Sequence, residues 1–459
     1  MSIEAVRRGC KAVPYGREGR HAARGNPDRR RTAAPRRLPV VCFPPYIGHV
    51  TPPRLNAPFL ITGCEVVLPD RVIRHGAVLA DEGTILFAGS EDRLPGKLPD
   101  GCRRITAPGM RACPALWETH IHGCGGVSTE SMSTQSLARM AQFLARRGIG
   151  AFLPTIVSDE RYIASLGEAL DSVRDTPVLR RRIPGVHVEG PFVSAKRRGA
   201  IPEALVRAPS IEYFERMIAL SHGTIRVLTI ASELPGSKEI IARLPAAGIL
   251  PSLGHSDASY ESLRACESIS PLGVTHLFNG MSGVSHKEPG LAQWALLNKD
   301  VYTELNCDGT HVHDAAVRLA LRSRPWQRIV AISDAVAPAG LPLAGLARGE
   351  PVGSLYDRPL TTHGAGLYYA DSGVLVGSRL LVPDGLARLV HEFRVPVASA
   401  VAMATLNPAR LLGFTRKGAL LAGYDADVAL LSQDFTRCSF LTWEGALLIE
   451  SPEEAKDRY

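Results

Sequence analysis

The 459-residue sequence predicts an α/β protein: a (β/α)8 TIM-type barrel with a small β-sandwich domain built from segments on both sides of the barrel. Three observations carry that reading. Apolar, β-rich runs alternate with helix-like segments roughly eight times, which favours parallel strands closed into a barrel over an open sheet. Short alternating bursts punctuated by Pro, Asp and Gly precede this region, and a similar signature follows it. Most of the barrel runs finish on His, Glu, Asp or Asn, the arrangement expected where strand C-termini converge on one chemical face.

In chain order, residues 1–53 are expected to form a disordered Arg/Pro-rich tail, because they show neither helical nor alternating apolar periodicity and cannot bury enough surface to offset chain entropy. Residues 54–112 supply the first part of the small β domain, in Phe59-Leu-Ile-Thr, Glu65-Val-Val-Leu, Gly76-Ala-Val-Leu-Ala and Thr84-Ile-Leu-Phe-Ala-Gly. Residues 113–412 form the barrel. Residues 413–459 supply the second part and a C-terminal tail; there Gly418-Ala-Leu-Leu-Ala-Gly-Tyr-Asp-Ala-Asp leads into Val428-Ala-Leu-Leu, and the two parts are expected to complete one sheet.

Composition narrows the function. The net charge of +8 and pI near 9.1 suggest an acidic partner until the charges are located. Residues 1–50 hold eleven of the 53 basic and three of the 45 acidic side chains, which leaves 42 of each in the rest of the chain. The body is therefore neutral, and neither nucleic acid nor a membrane surface is expected as a partner. Nine cysteines, scattered without a CxxC pair, favour a reducing compartment. No apolar run approaches the ~20 residues of a membrane span. A cytoplasmic protein is expected.

The candidate barrel strands are Leu116 to His122, Ala151 to Val157, Ile183 to Gly190, Ile225 to Ser232, Ile249 to Ser256, Gly273 to Asn279, Val301 to Gly309 and Arg328 to Ala335. His120 and His122, two apart on a strand, face the same side of the pleat. Glu189, His255 and His276 arrive from the third, fifth and sixth strands. Four imidazoles and one carboxylate suit Zn²⁺ or a similar divalent ion, and are enough for two. Asp334, at the end of the eighth strand, can accept a proton from a water activated by the metal, which is the machinery of acyl-bond hydrolysis. A lone histidine is more often a packed core residue, and a strand-terminal Asp often caps the next helix. The ordered set at successive strand ends is what favours the metal reading. His187, two residues before Glu189, is assigned a supporting place behind the ligands.

These strings resemble the amidohydrolase superfamily and, within it, the N-acetylglucosamine-6-phosphate deacetylases. The similarity rests on Thr119-His-Ile-His-Gly, Gly185-Val-His-Val-Glu-Gly-Pro-Phe, Leu253-Gly-His-Ser-Asp-Ala-Ser-Tyr-Glu, Thr275-His-Leu-Phe-Asn-Gly-Met-Ser, Lys287-Glu-Pro-Gly, Asp308-Gly-Thr-His-Val-His, Ser333-Asp-Ala and Ala404-Thr-Leu-Asn-Pro-Ala-Arg, in family order from about residue 57 to 435. The resemblance implies that Glu189, His255 and His276 hold the principal metal, that Asp334 is the general base, and that the retained His120 and His122 make the site capable of two ions. It also implies a small-molecule amino sugar phosphate as substrate, bound by Ala200, Asn279, Gly280, Lys287, His311 and the backbone of Leu375, Val376 and Gly377. A homodimer is implied as well, with Lys287 reaching the phosphate across the interface.

Three positions depart from the family pattern. Lys287 stands where Arg is usual, so a bidentate fork becomes a point charge. Ile201 replaces a histidine that contacts substrate, and an isoleucine can neither donate a hydrogen bond nor polarise a carbonyl. Glu118 replaces the usual Asp before the histidine pair. The expectation is hydrolysis of N-acetylglucosamine 6-phosphate. The galactosamine epimer, or a sugar-phosphate-binding homologue with impaired turnover, stands as the alternative.

Overall fold

The computed structural model describes residues 57–130, 132–157, 159–342 and 350–450. The Arg-rich stretch and the last nine residues lie outside them.

All eight expected barrel strands form: Leu116–Ile121, Ile149–Val157, Val186–Glu189, Ile225–Ile230, Leu250–Leu253, Gly273–Val274, Tyr302–Asn306 and Ile329–Ile332, here called the first to eighth strands. Each pairs in parallel with the next. The seam between the eighth and the first closes through a parallel bridge from Ile121 to Ala335. Asp334 N donates to His120 O at 3.0 Å and His122 N to Ala335 O at 2.8 Å. Closure thus involves the residues expected to carry the chemistry.

The strands are rich in apolar residues because both faces are covered: Phe152, Leu153, Val188, Leu228, Leu253 and Val330 are fully buried. The outer helices bury one stripe each. In the helix Thr134–Ala145, Leu137, Met140, Ala141 and Leu144 face the barrel, while Ser133 caps the N-terminus in a reciprocal pair with Ser136. The sixth strand is shorter than the sequence suggests. Its chain leaves extended geometry at His276 (φ 29°) and Phe278 (φ 81°), which ends the pairing after two residues.

The small β domain is one eight-stranded sheet with contributions from both sides of the barrel. Met110–Pro114 and Val428–Ser432 pair antiparallel, joining the two parts. The sheet folds back on itself: Ile85 N donates to Tyr424 O at 2.8 Å and Gly423 N to Ile85 O at 2.9 Å, and the Phe59 and Phe440 rings meet at 5.4 Å. Lys417, Asp425, Asp427 and Glu444 form a mostly buried ion cluster at the base of its C-terminal strands.

Between the eighth strand and the helix Val382–His391 the chain makes a four-stranded antiparallel sheet, Gly353–Leu355, Arg358–His363, Gly366–Tyr369 and Leu375–Ser378. Tyr356 and Asp357 form its first turn, both left-handed (φ 50° and 60°), the geometry of a two-residue hairpin. Among the described residues seven cysteines are free thiols, and no helix is long and apolar enough to cross a membrane.

Candidate active site

The strand ends bring His120, His122, Glu189, His255, His276 and Asp334 together. His255 Nε2 and His276 Nε2 each lie 2.8 Å from Glu189 Oε1 and 3.1 Å from one another. His122 Nε2 is 3.2 Å from Glu189 Oε2 and 3.5 Å from Asp334 Oδ1. His120 Nε2 is 3.7 Å from Glu189 Oε1 and 3.6 Å from Asp334 Oδ1. Ligands about 2.0–2.1 Å from a tetrahedral ion stand about 3.3 Å apart, so this spacing suits side chains gathered around a cation. The buried His120 Nε2 has no hydrogen-bond partner among the described residues, a costly arrangement unless an ion takes its lone pair. The residues present fit a divalent metal, and two of the potential ligand groups, His120–Glu189–His276 and His120–His122–Asp334, share His120.

Backbone geometry aims these groups. His255, His276 and Asp334 all have left-handed φ, at 46°, 29° and 54°. Non-glycine residues adopt that region at a cost and cluster there at functional sites. Each turn swings its side chain off the strand direction and over the barrel mouth. Gly280 makes room: a Cβ there would lie 2.7 Å from His255 Nδ1 and 2.9 Å from Arg197 O.

The charges are mutually dependent. Burial pushes the Glu189 carboxyl up, but His255 and His120, with hydrogen bonds from His122 and His255, outweigh it and hold it well below the usual range. Burial also opposes ionisation of Asp334, and His120, His311 and His122 hold its carboxyl down. Burial works against a charged His120, yet Asp334, Glu189 and Glu304 raise it to about 10. The site thus demands positive charge, which protons or a divalent cation can supply. His187 differs. Burial drives it down to about 4, and its ring is occupied, Nδ1 donating to Thr119 O at 3.1 Å and Nε2 meeting Thr229 Oγ1 at 2.8 Å.

The pocket at the barrel mouth is lined by His122, Glu189, His255, His276 and Asp334 together with Ala200, Asn279, Gly280, His311, Leu375 and Val376. Six of the eight expected substrate residues therefore meet the candidate ligands. Lys287 is exposed and does not line the pocket, and neither does Gly377, whose absent side chain lets its backbone pass Asp334 O, where a Cβ would stand at 2.7 Å. His311 is tied to Asp308 through Nδ1 at 2.7 Å and faces Asp334 Oδ2 at 3.4 Å through Nε2. Ile201 is on the pocket wall, packed with Val157, Val193 and Tyr356.

Two contributions escaped the sequence reading. Glu304, in the seventh strand, is buried and reaches His120; an acidic residue inside the β-rich run Tyr302-Thr-Glu-Leu was the available signal. Leu355 and Tyr356 reach the pocket from the hairpin turn, with Tyr356 N bonded to Glu130. Nothing local in the sequence points that turn at the barrel.

Comparisons with known proteins assign the chain to a family. The Amidohydrolase family profile matches residues 368–444. An N-acetylgalactosamine-6-phosphate deacetylase of Escherichia coli is 34% identical over 325 residues, 70% of this chain and 83% of that protein. An N-acetylglucosamine-6-phosphate deacetylase of Bacillus subtilis is 32% identical over 384 residues, 82% of this chain and 93% of that protein. Among solved structures, an N-acetyl-D-glucosamine-6-phosphate deacetylase point mutant from Mycobacterium smegmatis, in complex with N-acetyl-D-glucosamine-6-phosphate, superposes with a TM-score of 0.75 at 26% identity, covering 86% of this chain and 100% of that one.

Proposed function

Because the chain belongs to the N-acetylglucosamine-6-phosphate deacetylase family of amidohydrolases, we propose that it is a metal-dependent hydrolase converting N-acetylglucosamine 6-phosphate to glucosamine 6-phosphate and acetate. The observation that carries this reading is the meeting of His255 and His276 on one oxygen of Glu189, from three strands separated widely in sequence. Glu189, His255 and His276 would hold one Zn²⁺, and His120 and His122, beside Glu189, a second. Such an ion supplies Lewis acidity and lowers the pKa of a water from about 15.7 toward about 7.

The chain's own groups do the rest. Asp334, kept ionised by its imidazole neighbours, accepts a proton from the attacking water as the oxygen bonds to the acetyl carbon. It passes that proton to the nitrogen as the C–N bond breaks. His311, fixed by Asp308 and facing Asp334, contacts a sugar hydroxyl or the phosphate. Asn279, Gly280, Ala200, Leu375 and Val376 line the sugar's position. Lys287, exposed on its own protomer, would complete the phosphate site of a second copy in a homodimer. Free thiols favour a reducing, cytoplasmic setting.

A second reading, deacetylation of the galactosamine epimer, is favoured by the 34% identical Escherichia coli relative. Acetate release from the phosphorylated and unphosphorylated N-acetyl forms of glucosamine and galactosamine, with and without chelator, separates the two. Release from the phosphorylated glucosamine form, abolished by chelator, is expected. No release from any of the four would leave a sugar-phosphate-binding protein. Asp334→Asn is expected to lower turnover by at least about 10²-fold while bound zinc, measured by atomic absorption, stays nearly unchanged. Loss of the metal together with activity would make Asp334 a structural ligand instead.

A further inference from the structure

We propose that Glu304 is the positioning residue that orients His120 and thereby enables the His120–His122 position to hold a second metal ion. The inference deepens the proposed function and rests on it for the presence of the metal.

Glu304 lies in the seventh strand and turns its carboxylate into the barrel interior, where it is 5% exposed. Three donors anchor it there. His120 Nδ1 lies 3.1 Å from Oε2, Thr119 Oγ1 donates to Oε1 at 3.3 Å, and His276 N donates to Oε2 at 3.4 Å. An ionised carboxylate only accepts, so the proton of His120 must sit on Nδ1. In the neutral ring that a metal ion would select, this leaves the Nε2 lone pair free, with no solvent exposure, facing Glu189 Oε1 and Asp334 Oδ1 at 3.7 and 3.6 Å. These distances are long for hydrogen bonds and close to the separation of ligands that share an ion.

His255 offers the comparison. His255 has its tautomer set by Arg197 O, 2.7 Å from Nδ1. His120 has Glu304 for the same purpose, but a charged partner, which also makes the imidazole a stronger donor. The grouping of His120, His187 and Glu304 is not a further metal site, because both nitrogens of His187 are already hydrogen-bonded.

The test is zinc affinity of the full chain, titrated against a chromophoric chelator, for wild type, Glu304→Ala and Glu304→Gln. Wild type is expected to bind two ions with resolvable affinities. Glu304→Ala should weaken the second by roughly 10–100-fold and leave the first within about twofold. Glu304→Gln keeps an accepting oxygen and loses the charge, so it should fall between the two. The cobalt-substituted protein should lose one of its two sets of visible bands in Glu304→Ala, which general loosening of the fold would not do selectively. Two undiminished affinities in either variant, or a wild type that binds one ion only, would overturn the proposal; if Glu304→Ala does not fold, Glu304→Gln decides. Two zinc ions in a wild type that releases acetate from none of the four sugars would defeat the proposed reaction and leave the assignment of Glu304 standing.

Discussion

Ile201 shows how much one side chain decides at this site. It is 3% exposed, in an apolar cluster with Val157 and Val193 and against Leu205, Val206 and Tyr356. The pocket wall at that point is therefore dry. Ile201→His would bury an imidazole in a mainly apolar cluster, and is expected to cost about 1–3 kcal/mol in urea unfolding while leaving zinc content unchanged. A variant as stable as wild type would mean that the wall admits water or a polar partner. The contrast with His255, His276 and Asp334 is instructive. Those three spend backbone strain on aiming polar groups, while Ile201 contributes shape and dryness, which strengthens the electrostatics of every group facing it.

At the scale of elements, function depends on where strands stop. The first strand carries His120 and His122 into the seam with the eighth, so closure of the barrel and placement of two candidate ligands are one event. The small domain relies on a buried charge cluster: Lys417 Nζ lies 3.0 Å from Asp427 and 4.2 Å from the Trp443 ring centre. Burial pushes Asp427 up to about 6 even with Lys417 opposing it. A carboxyl whose folded pKa exceeds its unfolded value loses stability as pH rises between the two. Lys417→Met keeps the stem over Trp443 but removes the counter-charge, raising that folded pKa further. The variant is expected to lose about 3 kcal/mol at pH 8 and distinctly less at pH 5, where Asp427 is protonated. Equal losses by chemical denaturation at both pH values would refute the role given to Asp427.

Beyond the single chain lies the expected contact of Lys287 with the substrate's phosphate. Lys287 is exposed and outside the pocket of its own chain. If it serves a second copy, the protein sediments as a dimer, and Lys287→Ala should raise KM for the phosphorylated sugar by roughly 10-fold or more with kcat little changed, the behaviour of a binding contact remote from the reacting atoms. A monomeric wild type with the same KM in the variant would remove Lys287 from the site. The barrel and the polar cluster at its rim were legible in the chain because most strands carry their own apolar run and end on their own polar residue. Local order alone was enough to predict that His120, His122, Glu189, His255, His276 and Asp334 share one rim. The seventh-strand Glu304 and the hairpin turn at Tyr356 were not legible, since their meaning lies in partners more than a hundred residues away: Glu304 matters through His120, 184 positions earlier, and Tyr356 through Glu130, 226 positions earlier. Which chemical groups the rim carries could be read along the chain, because periodicity and strand-end identity are local properties. Their hydrogen-bond partners, their charge balance and the dryness of the wall became readable in the folded chain alone, because those depend on distances that exist only once the barrel has closed.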